Sequence, residues 1–173
     1  MEERGFTLVE LLVVLTIGSI LLSIAIPGYA FLLSGSRLTT VTNDLVSALH
    51  LARSEAIKRG TRVTICKTGS PMAVPPSCDG AANWQDGWLV FVDGGVRGVI
   101  DSGDTVLWSK DRASEATTIT ASNFTLFVSY LPSGVSQGPN GLANGFLRVC
   151  VEHKRRDIII NSTGRLRLSP NIC

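Results

Sequence analysis

One apolar run near the N-terminus limits what this chain can fold into more than any other feature. From Phe6 to Ile26 the sequence holds 21 residues, of which only Glu10 is ionisable. A bilayer core about 30 Å thick is crossed by a helix of about 20 apolar residues, so this run is long enough to span a membrane. A helix buried in a soluble core is one alternative interpretation.

A cleaved secretory signal peptide is the closer alternative, and two features argue against it. Such a peptide has a basic start, an apolar stretch of about 7–15 residues and a small-residue cleavage site after that stretch. Here the apolar run is longer, and no A-x-A-like site follows it. We therefore expect the segment to remain on the mature protein and to anchor it in a membrane.

Beyond Pro27 the apolar pattern continues with helical spacing. Apolar residues recur every three or four positions over Leu38–Ala56, which is typical of an amphipathic helix. Gly60 is a suitable C-cap. Because a proline kinks a helix without necessarily ending it, the pattern predicts one long helix from about Thr7 to Arg59.

After Gly60 the pattern changes to strand-like segments separated by clusters of Gly, Pro, Asn and Ser. The predicted strands are Thr61–Cys66, Trp88–Val92, Thr105–Ser109, Thr117–Thr120, Phe124–Tyr130, Phe146–Val151, Asp157–Asn161 and Arg165–Leu168. This order predicts an α+β fold, in which an antiparallel sheet packs against the long helix.

Four cysteines follow the apolar run, and they are Cys66, Cys78, Cys150 and Cys173. Behind a translocated membrane segment an even count favours disulfides, and three pairings are possible. We favour Cys66–Cys78 and Cys150–Cys173, since each pair closes a loop within one region of the chain. A zinc site is the alternative, but the chain has no C-x-x-C pair and only two histidines.

Residues 5–12, with the sequence GFTLVELL, closely resemble the cleavage and assembly motif of type IV prepilins. The resemblance implies that a prepilin peptidase cuts between Gly5 and Phe6 and that the Phe6 amine is methylated. It also pairs Glu10 with that amine on a neighbouring subunit, which agrees with the high cost of an unpaired carboxylate in hydrocarbon. Pro27 falls where such pilins have a helix-kinking proline. The leader departs from the pattern because two glutamates dilute its basic character.

Signals in the head are similar to those of the GspH/FimT group of minor pilins and pseudopilins. They are the sequence LARSEA at 51–56, the Cys66 to Cys78 span, Trp84-x-x-Gly87-Trp88 and the late Gly164-Arg165. The resemblance implies a leader at 1–5, a transmembrane and assembly segment at 6–27, an amphipathic half-helix at 28–60 and a β-rich periplasmic head at 61–173. It further implies a single-pass inner-membrane protein that assembles with other pilins and becomes surface-exposed in the filament.

Candidate catalytic and metal sites are few. The chain has no H-E-x-x-H, G-x-S-x-G or P-loop motif, so we expect no enzymatic activity and no cofactor. His153 lies in the basic run Glu152–Arg156, which we interpret as a hairpin turn, and we expect it to be a solvated turn residue. In the Gly-rich segment Asp93–Asp104, where related proteins often have a calcium-loop-like run, Gly95 and Arg97 stand where oxygen ligands would be needed. This favours a plain acidic turn over a calcium site.

The basic C-terminal end is the candidate functional site. Residues 146–173 hold six Lys/Arg against two Asp/Glu, a net charge of 6 − 2 = +4. The sequence GRLR at 164–167 matches the G-R-x-R element of the DNA-binding FimT branch. On an extended segment Arg165 and Arg167 share one face, and Leu166 and Leu168 point inward.

The hairpin that precedes this element adds the basic residues Arg148, Lys154, Arg155 and Arg156. If Cys173 is bonded to Cys150, the two basic groups could form one patch. Guanidinium groups suit phosphate, and no aromatic residue interleaves with these arginines, so the sequence predicts backbone-driven, sequence-independent binding. We therefore predict a minor pilin that binds double-stranded DNA for uptake in natural transformation. The alternative is a priming or tip subunit of a type IV pilus or type II secretion pseudopilus.

Overall fold

The long helix and the head are both present in the computed structural model, which describes residues 7–114 and 116–173. Helix α1 (Leu8–Arg59) begins after Thr7, whose Oγ1 accepts a hydrogen bond from the Glu10 backbone amide at 3.3 Å. It ends at Gly60, which takes the left-handed conformation with φ of 64°. The prediction of one helix capped by Gly60 is confirmed, and the helix continues through Pro27.

The two halves of α1 have different surroundings. Residues Leu8–Ile26 form a segment that is long and apolar enough to cross a membrane, and none of it is buried in the chain itself. In the second half, Leu45, Leu49, Ala52 and Ala56 are completely buried against the head. One helix therefore supplies both the exposed apolar segment and one wall of the core.

The head is built from the following strands and one short 3-10 helix. The strands are β1 (Val63–Lys67), β2 (Trp88–Val92), β3 (Thr105–Lys110), β4 (Thr117–Ala121), β5 (Phe127–Tyr130), β6 (Ser136–Gln137), β7 (Gly145–Val151), β8 (Lys154–Ile160) and β9 (Leu166–Ile172), and the 3-10 helix is Trp84–Asp86. The α+β class is confirmed. The short strand β6 has no counterpart among the predicted strands.

These strands form two antiparallel sheets, where the sequence predicted one. The first sheet has the order β3-β2-β1-β5-β6, and the second has the order β4-β7-β8-β9. The inner side chains of both sheets meet α1 in one core, to which the second sheet contributes Leu147, Val149, Val151, Ile158 and Ile160. The basic C-terminal region, residues 146–173, runs through β7, β8 and β9 and therefore belongs to the second sheet.

The disulfides join Cys66 to Cys78 and Cys150 to Cys173, with Cα–Cα distances of 5.7 Å and 6.0 Å. These are the two pairings that the sequence favoured. The second bridge lies beside the β7–β8 turn, where the Cys173 amide also donates to the carbonyl oxygen of His153 at 3.2 Å. The end of β9 is thus tied to the hairpin that precedes it.

Candidate nucleic-acid interface

The candidate site lies on the face of the second sheet that is turned away from α1. Along β8, Ile158 and Ile160 are buried in the core. Since successive side chains of a strand point to opposite faces, Arg155, Asp157 and Ile159 project to the other side. We call this side the outer face, and it comprises Phe146, Arg148, Arg155, Asp157, Ile159 and Arg167.

Strand register brings the basic residues of three strands together on the outer face. Arg148 of β7 is opposite Asp157 of β8, and Ile159 of β8 is opposite Arg167 of β9. Residues that are paired in this way across an antiparallel sheet share a face. Arg148, Arg155 and Arg167 therefore share one face of the sheet although they come from three different strands.

Asp157 holds two of these arginines in place. Its Oδ1 accepts from Arg148 Nε at 3.2 Å, and its Oδ2 accepts from Arg155 Nη2 at 3.1 Å. The Asp157 side chain is only 11% exposed, so this carboxylate is sheltered from solvent. It offsets part of the positive charge and fixes both guanidinium groups in space.

Arg165 and Arg167 are exposed and follow a tight turn. The Asn161 Oδ1 accepts from the backbone amide of Arg165 at 2.8 Å, which closes the turn. Gly164 is buried there with φ of 75°, and a Cβ at this position would clash with the carbonyl oxygen of Gly134. Gly164 is therefore required both by its backbone angle and by this close approach.

The two leucines predicted to point inward differ in burial. Leu166 packs against the core, and Leu168 is opposite the buried Ile158 but remains 43% exposed. β9 is the last strand of its sheet, so side chains on its inner face are only partly covered.

Arg53 of α1 is a site residue whose role the sequence analysis missed. Its Nε donates to the carbonyl oxygen of Gly134 at 3.1 Å, and its Nη2 donates to that of Thr163 at 3.1 Å. The guanidinium thus ties the helix to the turn before β9. The only sequence signal was its place within LARSEA at 51–56, which does not reveal the distant partners.

Lys154 and Arg156 lie on the opposite face from Arg155, because they alternate with it along β8. Lys154 Nζ reaches α1, where it would be 3.2 Å from a Cβ placed at Gly35. The predicted turn over 152–156 is wrong: the turn comprises Glu152 and His153 only, and β8 begins at Lys154. Successive side chains of an extended strand project to opposite faces, so the basic residues that were predicted to form one patch do not all share one face.

An aromatic ring lies among the arginines, contrary to the sequence analysis. Arg148 Cζ is 4.8 Å from the ring centroid of Phe146, which is a cation–π distance. Phe146 and Arg148 are two residues apart on β7 and therefore project to the same face. The two-residue spacing of Phe146 and Arg148 indicates a shared outer face only when the segment is known to be a strand and its exposed face is known.

The remaining predicted sites lie elsewhere. The buried carboxylate of Asp93 accepts from Arg62 Nη2 at 2.7 Å and from Thr64 Oγ1 at 2.6 Å, and Asp101 and Asp104 accept from backbone amides of the same loop. Across the described parts of the chain no group of three potential metal ligands occurs. The aspartate side chains of this acidic loop therefore stabilise the conformation of the loop itself.

The N-terminal site is only partly described. Gly5 and Phe6 lie outside the described residues. Glu10 is exposed in the first turn of α1, at the end of the apolar segment where the prepilin motif expects it.

Two family models match this chain. The one described as Type II transport protein GspH matches residues 41–164, and the one described as a prokaryotic N-terminal methylation motif matches residues 1–26. No curated protein sequence matches the chain.

Two solved structures are similar to this one, and both are crystal structures of the type IV minor pilin FimU of Pseudomonas aeruginosa (strain PAO1), in different space groups. The first has a TM-score of 0.59 at 17% identity and covers 79% of this chain and 92% of that chain. The second has a TM-score of 0.55 at 15% identity, with coverage of 78% and 96%. At these identities the likeness shows a shared fold.

The GspH match covers most of the chain, and the methylation motif coincides with the apolar start of α1. Such a motif implies processing by a prepilin peptidase and assembly with other pilins. Proteins of this kind are structural rather than catalytic. The chain therefore belongs to the GspH/FimT family of type IV minor pilins and pseudopilins, in which an apolar N-terminal helix anchors a β-rich periplasmic head.

Proposed function

We propose that this minor pilin binds double-stranded DNA through the outer face, without sequence preference, during uptake in natural transformation. The observation that carries the proposal is the placement of Arg148, Arg155 and Arg167 on one face of one sheet, with Arg165 in the adjoining turn. Guanidinium groups offer several planar donors and bind phosphate well. A surface that gathers them suits the DNA backbone.

Charge on this surface remains positive after internal pairing. The four arginines carry +4 and Asp157 carries −1, so the net charge is 4 − 1 = +3. Arg148 and Arg155 are held by Asp157 and need little reordering, whereas Arg165 and Arg167 are exposed and can adjust to a phosphate. Contacts of this kind position a protein on DNA but do not read its sequence.

The orientation of the outer face relative to α1 also supports the proposed DNA binding. The outer face is turned away from α1, and α1 is the element through which pilins assemble. We propose that the outer face stays accessible on the filament surface, where extracellular DNA would meet it.

The test is a DNA titration of the full chain in uncharged detergent at several salt concentrations. Non-specific binding has dissociation constants of about 10⁻⁴–10⁻⁶ M at physiological salt. Since each phosphate contact adds about −0.9 to the slope of log affinity against log salt, three or four contacts give a slope of roughly −3 to −4. The double variant Arg165→Gln/Arg167→Gln should flatten this slope by about 2.

Lys58→Gln/Arg59→Gln is the matched control, because it removes equal charge from the C-terminal end of α1. If both double variants weaken binding equally, net charge is responsible and the outer face is not a site. If the unsubstituted protein shows no salt-dependent binding at low ionic strength, DNA binding is ruled out.

A structural priming or tip subunit, of a type IV pilus or a type II secretion pseudopilus, is the second candidate. It is favoured by the pairing of Arg148 and Arg155 with Asp157, which satisfies these side chains within the sheet itself. Under this alternative the arginine variants leave DNA uptake unchanged, while deletion of the protein reduces the number of filaments.

A further inference from the structure

We infer that the outer face also contains a subsite for an unpaired DNA base, so that the protein binds single-stranded DNA by stacking as well as through phosphates. The inference rests on the proposed DNA binding and adds a second form of the ligand to it. Two observations carry it: the Phe146 ring beside Arg148, and an open groove that this ring lines.

The groove lies over the ends of β7 and β8 and has a volume of about 660 Å³, which is within the range of small-ligand sites. Phe146 and Ile159 are opposite each other in the β7–β8 register and form its apolar floor. Ile159 is 36% exposed, so the floor is open to solvent. Asn144 and Ser162 add polar groups at the end of the groove.

Arginines border this floor on two sides. Arg148 Cζ is 4.8 Å from the Phe146 ring centroid. Arg167 is opposite Ile159 on the next strand, and Arg165 follows at the adjoining turn. An apolar floor between cations matches a nucleotide, whose planar base can stack on an aromatic ring or a guanidinium while its phosphates meet the remaining arginines.

A single strand suits this arrangement better than other ligands do. In a duplex the base faces are stacked on one another, so the phosphates can reach the arginines but no base face can reach Phe146. An apolar protein segment would cover the floor and leave the bordering guanidinium groups without anions. An unpaired base with its phosphates satisfies both parts of the surface.

The experiment uses the full chain in uncharged detergent and three labelled DNA ligands of equal length. They are an oligothymidine strand, an abasic strand with the same phosphates, and a duplex. The unsubstituted protein should bind oligothymidine roughly 5- to 150-fold more tightly than the abasic strand, which is the range that base–aromatic stacking contributes per base. Equal affinity for these two strands would overturn the inference without any variant.

Substitution of the ring identifies the subsite. Phe146→Ala should remove most of the preference for oligothymidine over the abasic strand, and Phe146→Tyr should retain the preference because it keeps a stacking ring. Leu168→Ala is the control, since this partly exposed residue lies on the other face of the same sheet. If Phe146→Ala weakens binding of all three ligands equally, the ring only positions Arg148 and no base subsite exists.

The duplex separates this inference from the proposed function. If the duplex binds and depends on Arg165 and Arg167 while oligothymidine shows no preference over the abasic strand, only the base subsite is wrong. If the duplex does not bind but oligothymidine binds in a manner that depends on Phe146, duplex binding is wrong and the base subsite stands.

Discussion

Arg53 on α1 donates a hydrogen bond from Nη2 to the carbonyl oxygen of Thr163 at 3.1 Å, across 110 residues of sequence. Its Nε binds the carbonyl oxygen of Gly134 in the same way, at 3.1 Å. The helix that anchors the protein thus also positions the turn from which Arg165 projects. The packing of the assembly helix and the geometry of the candidate site are therefore linked by one side chain.

Arg53→Ala should loosen this turn. It removes two hydrogen bonds from a charged donor, each of which contributes about 1.5–3 kcal/mol, so we expect a loss of about 3 kcal/mol or more in the free energy of unfolding. Amide hydrogen exchange at 161–165 should become faster, while the rest of the β8–β9 hairpin stays protected. Lys58→Ala on the exposed side of α1 is the control, and unchanged exchange in Arg53→Ala would contradict the positioning role.

Gly164→Ala should be more harmful than Gly141→Ala. Both glycines have positive φ, at 75° and 83°, so both substitutions cost about 1–2 kcal/mol in backbone strain. A Cβ at Gly141 meets open space, whereas one at Gly164 clashes with the Gly134 carbonyl oxygen. Thermal unfolding of both variants measures the difference, and equal destabilisation would show that the turn can open to accept the methyl group.

Non-reducing peptide mapping of periplasmic protein should find Cys66–Cys78 and Cys150–Cys173. Replacing Cys150 and Cys173 together by Ser should lower the free energy of unfolding by about 2–4 kcal/mol, because the end of β9 is no longer tied to β7. It should also speed exchange at the end of β9 more than in β1. Four free thiols, or a crossed pairing, would contradict both bridges.

Processing should leave Phe6 as the mature N-terminus, and Gly5→Val should block the cut by adding bulk at the motif's small residue. Mass analysis of the N-terminus of membrane-extracted protein decides this. Intact Met1 in cells with an active prepilin peptidase would show that residues 1–26 match the motif without being processed.

Glu10→Val should leave membrane insertion intact, since it removes the one ionisable side chain of the apolar run. It should reduce incorporation into filaments, because the carboxylate can no longer pair with the amine of a neighbouring subunit. Sedimented filaments are compared with the membrane fraction by immunoblot. Incorporation equal to that of the unsubstituted protein would remove the pairing argument.

Local patterns determined much of this protein. Apolar spacing and one glycine cap are enough to predict α1, since helix period and capping depend on neighbouring residues. Strand β2 was predicted at Trp88–Val92, where the structure has it. The prepilin motif at 5–12 and the favoured cysteine pairs likewise depend on short segments of sequence.

Tertiary structure alone decided how the candidate site is arranged. A strand's side chains alternate between faces, so the start of β8 at Lys154 decides that Arg155 joins the outer face while Lys154 and Arg156 do not. Register with β7 and β9, which no local pattern specifies, brings Arg148 and Arg167 to the same surface. The pairing of β8 with β7 and β9 therefore decides which basic residues of this region lie together on the outer face.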